Sequence, residues 1–419
     1  MALLQRVKGT RDFLPREMLE RRYIEQKMRK VCKNFGYSEI STPIFEHADI
    51  FVKKSGEAIV KQMYTFKDKS GRKLALRPEL TAPVMRFYIQ ELQALPKPLK
   101  LFYFGSCYRY EEPQRARYRE FWHFGAEYIG GGRESEAEVI ALAKELLEAA
   151  GVKNYILRIG HLGALKAILQ IYKIPVSRQP LVLSLVDKKE FDYLREEVED
   201  YEELIRVLTQ GSAIFENQQL LRNVRIKNSL AELKALLDIL PAFGVTENNY
   251  NIDLSIARGL AYYTGMVFEI DCKDLGAEKQ LCGGGTYRLV EVLGGEKIAT
   301  TGFAIGFDRV MLALELQGVK LPEEHVEIYV VPVDGNEVKR KAFELATKLR
   351  KSDFSCDIDT IGRSLAKNLT YADSIKASKV ILLGENELAQ NSVIIRDMAT
   401  GMQEKVNVNK VVEYLKGAK

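Results

Sequence analysis

Histidine, cysteine and tryptophan are scarce in this chain of 419 residues, which holds four, five and one of them. The cysteines (Cys32, Cys107, Cys272, Cys282 and Cys356) are odd in number and scattered, with no C-x-x-C pair. That pattern excludes a disulfide framework and, with so few histidines, a Cys/His zinc site, and it fits a reducing compartment. Long apolar runs are also missing. The opening MALLQRVKGTRDFLP breaks into charge before a signal peptide could form, and no stretch approaches the roughly 20 apolar residues of a membrane span. The expected location is the cytoplasm. No G-x-x-x-x-G-K-[ST] phosphate loop occurs, which excludes a P-loop ATPase.

What is present is ordinary globular material, 46% hydrophobic and 28% charged, enough for two or three domains. The net charge of +5 is compatible with a polyanionic partner but does not require one. Met18, Leu19, Tyr23, Ile24, Met28, Val31 and Phe35 recur at helical spacing, which predicts a helix over 16–35. Short alternating segments follow to about residue 130 and read as antiparallel strands: YSEISTPIF, QMYTFKD, KLALRPE, KLFYFGSCYRY and REFWHFGAEYIG. A helix over 136–150 is signalled by a Ser135/Glu138 capping-box pattern and stopped by Gly151. From 161 to 240 Leu, Glu and Lys dominate, which predicts a helical insertion. Glycine-containing strands return at 250–306, with a helix from about Asp308. Beyond a boundary near 320–326, EIYVVPV, SCDIDT, KVILLGE and SVIIRD alternate with helical stretches, a small α/β domain with a mostly parallel sheet. Its first helix, from Asn336, carries Val338, Ala342, Leu345, Ala346 and Leu349 on one face.

The segment FYFGSCYRYEEPQRARYREFWHFGAEYIG (102–130) concentrates chemistry. Arg109 and Glu111 are two apart on one strand, and Phe121, His123, Gly125 and Glu127 share one face of the next. A cation, carboxylates, an aromatic ring and a ring nitrogen on one surface suit a charged nucleotide and an amino acid. An amphipathic hairpin with a solvated face would look similar; the order of arginine strand, basic loop and aromatic-carboxylate strand favours the site. Arg77, Glu79 and Thr81 in LRPELTAPVMR alternate onto one face in the same way.

These residues resemble signatures of the class II aminoacyl-tRNA synthetases. Arg109-Tyr110-Glu111, the basic loop and Phe121 resemble the second class II motif. GYSEISTPIF with Pro43 resembles the first, which builds a dimer interface, and TGFAIGFDRVML with Arg309 the third. IARGLAYYTGMVFEI (256–270), LCGGGTYRLVEVLGG (281–295) and the opening KGTRDFLP are similar to segments of histidyl-tRNA synthetases, in their archaeal-type form. The resemblance implies an α+β fold: a class II synthetase-like antiparallel sheet flanked by helices, with a helical insertion and a C-terminal α/β anticodon-binding domain. The implied domains are a catalytic core over 1–160 and 241–322, the insertion over 161–240, and the anticodon-binding domain over 325–419.

By the same resemblance, Arg109, Arg258 and Arg309 are catalytic, stabilising charge on the phosphates and the reacting carboxylate. Arg109, Glu111, Arg117, Phe121 and Arg309 would bind ATP, with Mg²⁺. Glu79, Leu80, Thr81, His123, Glu127, Arg258, Tyr262 and Tyr263 would bind histidine, Glu127 accepting from the imidazole. Gln114, Arg115 and Arg119 would meet the acceptor end of histidine tRNA. The implied activity is histidine–tRNA ligation by a homodimer. Two positions depart from the family pattern: His123 stands where glutamine is usual and Ala261 where aspartate is expected. They keep open an alternative, a catalytically inactive synthetase-like regulatory subunit of histidine biosynthesis. Ile159-Gly160-His161 faintly echoes a class I synthetase signature, but its leading histidine and the lysine motif that accompanies it are absent.

Overall fold

The computed structural model describes residues 5–55, 57–188, 190–256, 263–323 and 325–417. The chain divides into two compact units, residues 1–14 with 21–320, and residues 15–20 with 321–419. Among the described residues no helix is long and apolar enough to cross a membrane.

The larger unit is built on an eight-stranded sheet. In chain order its strands are β1 (Ser38–Glu39), β5 (Leu99–Tyr108), β6 (Glu120–Ile129), β7 (Tyr155–His161), β8 (Tyr250–Ile252), β9 (Tyr263–Cys272), β10 (Gln280–Tyr287) and β11 (Thr300–Gly306). Across the sheet they run β1-β5-β6-β11-β10-β9-β7-β8. The six inner strands are antiparallel, whereas β1 and β8 join the two edges in parallel. The expected strand YSEISTPIF is thus split, its start pairing with β5. Its end, β2 (Phe45–His47), joins β3 (Thr65–Lys67) and β4 (Lys73–Leu76) in a separate sheet of order β2-β4-β3.

Alternation gives the large sheet two unlike faces. On the back, Phe102 stacks on Phe124 at 5.8 Å and Phe104 meets the edge of Phe307 at 4.9 Å. The helix Phe307–Leu316 covers this side, joined by residues 21–34 of the helix Pro15–Asn34, which bury Ile24, Met28 and Cys32. The helix Arg133–Ala150 also packs on the back, with ten buried residues. It begins earlier than 136, because Gly132 is its N-cap and the Ser135 hydroxyl donates to the Gly132 carbonyl at 2.5 Å. The expected capping box is therefore not formed, and Glu138 instead holds Lys100. Gly151 does end the helix, in the left-handed conformation that glycine tolerates. The region 162–239 is helical throughout its main elements, from Leu162–Ile171 to Val224–Ile239.

The smaller unit carries a five-stranded sheet: β12 (Ile328–Pro332), β13 (Cys356–Ile358), β14 (Lys379–Leu383), β15 (Ser392–Asp397) and β16 (Gln403–Asn407), in the order β13-β12-β14-β15-β16. It is mixed rather than mostly parallel. β13, β12 and β14 are parallel, but β14-β15 and β15-β16 are antiparallel, the first pair joined through the short helix Glu385–Ala389 and the second by a turn. The helix Asn336–Arg350 buries Val338, Ala342, Leu345, Ala346 and Leu349 against this sheet, as the spacing requires.

Candidate functional site

The front of the large sheet has a floor almost without side chains. Opposite Glu127, Gly125 and His123 of β6 stand Gly302, Ala304 and Gly306 of β11, and beyond these Gly285 and Gly283 of β10. Above this floor lies a cavity of about 320 Å³, within the usual range for a small-ligand site. Glu79, Thr81, Arg109, Phe121, His123, Tyr263, Tyr287 and Arg309 are among the side chains that line it. The glycines of LCGGGTYR thus form a central strand, not a turn. A Cβ on Gly284 would press on the Gly302 carbonyl and the Phe268 ring.

Glu127 is fully buried on the front face, its carboxylate lying over Gly302. Tyr103 donates to its Oε1 at 3.1 Å and Tyr287 donates to Oε2. Burial pushes its carboxyl up to about 7, against the pull of Tyr287, Lys54, Tyr103 and Thr81 toward the ionised form. Both tyrosine hydroxyls are held well above their ordinary value, first by burial and then by the carboxylate. Two glycines make room for the arrangement. A Cβ on Gly125 would sit 2.5 Å from the Tyr103 ring, and one on Gly302 would overlap Glu127. Tyr103 and Tyr287 were not expected from the sequence; their link to Glu127 is visible only once β5, β6 and β10 are paired. Tyr263 meets Tyr287 edge-on at 5.8 Å.

The face expected through Arg77, Glu79 and Thr81 is not a strand face. β4 ends at Leu76, and Thr81 opens the helix Thr81–Phe87. Arg77 turns inward, donating to the carbonyls of Thr42 and Ser106 at 2.7 Å each. Leu80 is buried. Glu79 accepts from the N–H groups of Thr81 at 2.9 Å and Ala82 at 3.0 Å, so it caps that helix. It also pairs with Lys54, which no motif in the sequence singles out.

Around the nucleotide residues, β5 ends at Tyr108, so Arg109 and Glu111 lie just past the strand rather than on it. Arg109 donates to the Pro78 carbonyl at 2.9 Å and stands 5.2 Å from the Phe121 ring centre. Phe121 in turn meets His123 edge-on at 5.0 Å. Glu111 and Arg117 pair with each other, and the loop closes through Gln114 and Arg117. Gln114 and Arg115 are exposed, Arg115 in a surface pair with Glu315 at 3.2 Å. Arg119 corrects the expectation of an outward-facing residue. It is buried, donates to the Glu111 carbonyl at 3.0 Å, packs 4.1 Å from the Tyr110 ring and touches Gly9.

Arg309 donates to the Gln280 carbonyl at 2.8 Å from the helix whose first turn also holds Asp308. Asp308, like Tyr103, Tyr287 and Lys54, is not signalled by any local pattern in the sequence. Its carboxylate accepts from Arg11 at 2.5 Å, Arg21 at 2.8 Å and the Trp122 N–H at 2.8 Å. Burial lowers the Arg21 guanidinium from its ordinary value, and Asp308 is its compensating charge. Arg258, Ala261 and Tyr262 lie outside the described residues. No group of three or more His, Cys, Asp or Glu side chains among the described residues is placed to hold a metal ion.

The histidyl-tRNA synthetase family model matches residues 9–310, and an anticodon-binding domain model matches 327–418. A histidine–tRNA ligase of Methanosarcina acetivorans is 43% identical over 421 residues, covering 99% of each chain. The apo histidyl-tRNA synthetase structure of S. aureus superposes with a TM-score of 0.74 at 30% identity, covering 99% of this chain and 100% of that one. A Bacillus halodurans structure described as an ATP phosphoribosyltransferase regulatory subunit/histidyl-tRNA synthetase gives 0.78 at 27% identity, over 92% and 99%. The chain therefore belongs to the histidyl-tRNA synthetase family, and its C-terminal unit is an anticodon-binding domain.

Proposed function

We propose that this chain is a histidine–tRNA ligase, using ATP to activate histidine and passing it to the 3′ end of histidine tRNA. The observation that carries the reading is one cavity, lined by Arg109, Phe121 and Arg309, whose floor includes Gly302, the glycine over which the buried Glu127 lies. Phe121 and Arg109 suit a base and its phosphate; Arg309 adds a second cation. The carboxylate of Glu127 and the capping carboxylate of Glu79 suit the imidazole N–H and the α-ammonium. A site built to satisfy a ring N–H rejects amino acids that lack one, because its buried acceptor would go unpaired. Thr81, His123, Tyr262 and Tyr263 complete the histidine set, and Glu111 with Arg117 the nucleotide set.

In the first step a carboxylate oxygen of histidine bonds to the α-phosphorus. The bond from that phosphorus to its bridging oxygen breaks, and pyrophosphate leaves. In the second, the terminal ribose hydroxyl of the tRNA attacks the adenylate carbonyl and AMP leaves. Arg109, Arg258 and Arg309 stabilise the charge that develops, and no protein nucleophile is required. Mg²⁺ would enter with the phosphates of ATP. An ion held by phosphates needs few protein ligands.

Residues 1–160 with 241–322 form the catalytic core in this reading, 161–240 an insertion, and 325–419 the part that reads the anticodon. Gln114 and Arg115, exposed on the loop, meet the acceptor stem; such phosphate contacts make binding salt-dependent. The enzyme works in the cytoplasm as a homodimer, with the segment around Pro43 at the interface. The match to a histidine–tRNA ligase over 99% of both chains weighs against the regulatory-subunit alternative. The test is ATP–pyrophosphate exchange with each amino acid. Exchange that depends on histidine alone is expected, lost in Arg109→Ala; no exchange with histidine from folded protein would overturn the reading.

A further inference from the structure

Among the described residues Lys54 is the one lysine lining the cavity, and its side chain is 7% exposed. It comes from the helix Ala48–Ser55, whose remaining buried residues are the apolar Ala48 and Phe51. An ammonium that far from water needs a compensating charge. Lys54 finds it in Glu79, the carboxylate assigned to the substrate's own α-ammonium. Glu79 already caps the helix Thr81–Phe87 with both oxygens, so two backbone donors and Lys54 together fix its position. A carboxylate has about four acceptor positions, which leaves room for a further ammonium hydrogen bond. Lys54 also acts on Glu127 through space, favouring its charged form.

We propose that Lys54 is a positioning residue for histidine: a resident cation that fixes Glu79 for the α-ammonium and offsets the buried charge of Glu127. Without it, Glu79 loses its paired cation and Glu127 the nearby positive charge that favours its ionised form. The groups facing Glu127 are the hydroxyls of Tyr103, Tyr287 and Thr81 and the charge of Lys54. Around Lys54 and Glu79 stand Arg109, His123 and Tyr263 on the cavity wall and the buried thiol of Cys107. Burial and the loss of the lysine both favour a protonated Glu127. A protonated carboxyl gives up one acceptor position to its O–H and keeps only a weaker, uncharged acceptor for the imidazole N–H.

The inference rests on histidine binding in this cavity, and the experiment separates the two. Histidine-dependent exchange by the wild-type enzyme tests the site. KM for histidine, KM for ATP and kcat are then measured from pH 6 to 9 for wild type, Lys54→Met and Lys54→Arg. Lys54→Met is expected to raise KM for histidine about ten-fold or more near pH 7, with ATP KM little changed, and to recover as pH rises. Lys54→Arg keeps a cation and should stay close to wild type. A KM–pH profile of Lys54→Met that overlays wild type would overturn the proposal. So would a lowered KM, which would make Lys54 a competitor of the α-ammonium, or a rise independent of pH and shared by Lys54→Arg, which would make its role packing alone. If Lys54→Met does not fold, Lys54→Gln carries the same expectations.

Discussion

The two units of the chain bury polar groups for different ends. In the larger unit Arg21, Lys54, Arg77, Glu127, Glu269, Asp271 and Asp308 are charged types less than a tenth exposed. Several lie beneath or around the cavity, where low dielectric strengthens every interaction a substrate could make. In the smaller unit the core is apolar, from Ile328 and Val330 through Leu345, Leu349, Ile381 and Val393. Its buried exceptions are Asp359, Asn368 and Ser392. Asp359 accepts from the backbone N–H groups of Ile361, Gly362 and Arg363, so it shapes one loop. A reacting site must keep charges ready for a ligand, at a cost in stability, whereas a recognition unit can confine its buried polar groups to fixing a surface.

The largest break in this comparison is expected at Asp308. Replacement by Ala leaves Arg21 buried with no carboxylate and frees Arg11 and the Trp122 N–H. Breaking one partner of a buried pair typically costs about 3–5 kcal/mol. Urea unfolding of Asp308→Ala should show that loss, and exchange should fall as well because Arg309 is the next residue of the same helix turn. A loss below about 1 kcal/mol would mean that these charges are not a structural investment of the larger unit.

Much of the frame was legible because its signals are local. The helix Pro15–Asn34 and the hairpin of β5 and β6 rest on periodicities within a few residues. What was not legible depends on pairing across long separations. Tyr103 and Tyr287 stand 24 and 160 residues from Glu127, and Asp308 lies 287 residues from Arg21. Alternation misled at Arg77, since a strand face and a turn into a helix share the same spacing for three residues. Strand β16 escaped because its residues QEKVN are exposed but for Val406, so an edge strand reads as a loop. Arg119 looked like a surface cation; only its fold against Gly9 and Tyr110 reveals a packed stem.

A second, smaller effect sharpens the comparison through pH. Glu127 has its carboxyl raised from 4.5 to about 7. The folded chain therefore holds this proton over a window in which the unfolded chain has lost it. By linkage, the stability Glu127 contributes is greatest at low pH and falls as pH rises from about 4.5 through about 7, then levels off. The full change is on the order of 3 kcal/mol. Glu127→Gln cannot ionise, so its unfolding free energy should vary less over that window than that of wild type. Parallel curves would show that Glu127 carries no such cost. The opposite slope holds for function, because the ionised group is the stronger acceptor for the imidazole N–H.

The smallest effect is expected in the C-terminal unit and should leave chemistry untouched. Asn368 is fully buried; it accepts from the Tyr329 hydroxyl at 2.7 Å and donates to Asp359 at 3.1 Å and to the Arg363 carbonyl at 2.9 Å. Asn368→Ala strands the tyrosine hydroxyl and removes one of the donors to Asp359, a loss of about 1–3 kcal/mol for a buried group left without a partner. Urea unfolding should register it while histidine-dependent exchange stays at the wild-type rate. Tyr329→Phe removes a single donor and should cost less. Lowered exchange in either variant would contradict the separation of roles, since it would mean that a network confined to residues 329–371 reaches the cavity of the other unit. Unchanged exchange with weaker tRNA charging would instead place its effect on the surface that Arg363 and Tyr371 share, where the guanidinium lies 4.2 Å from the ring centre.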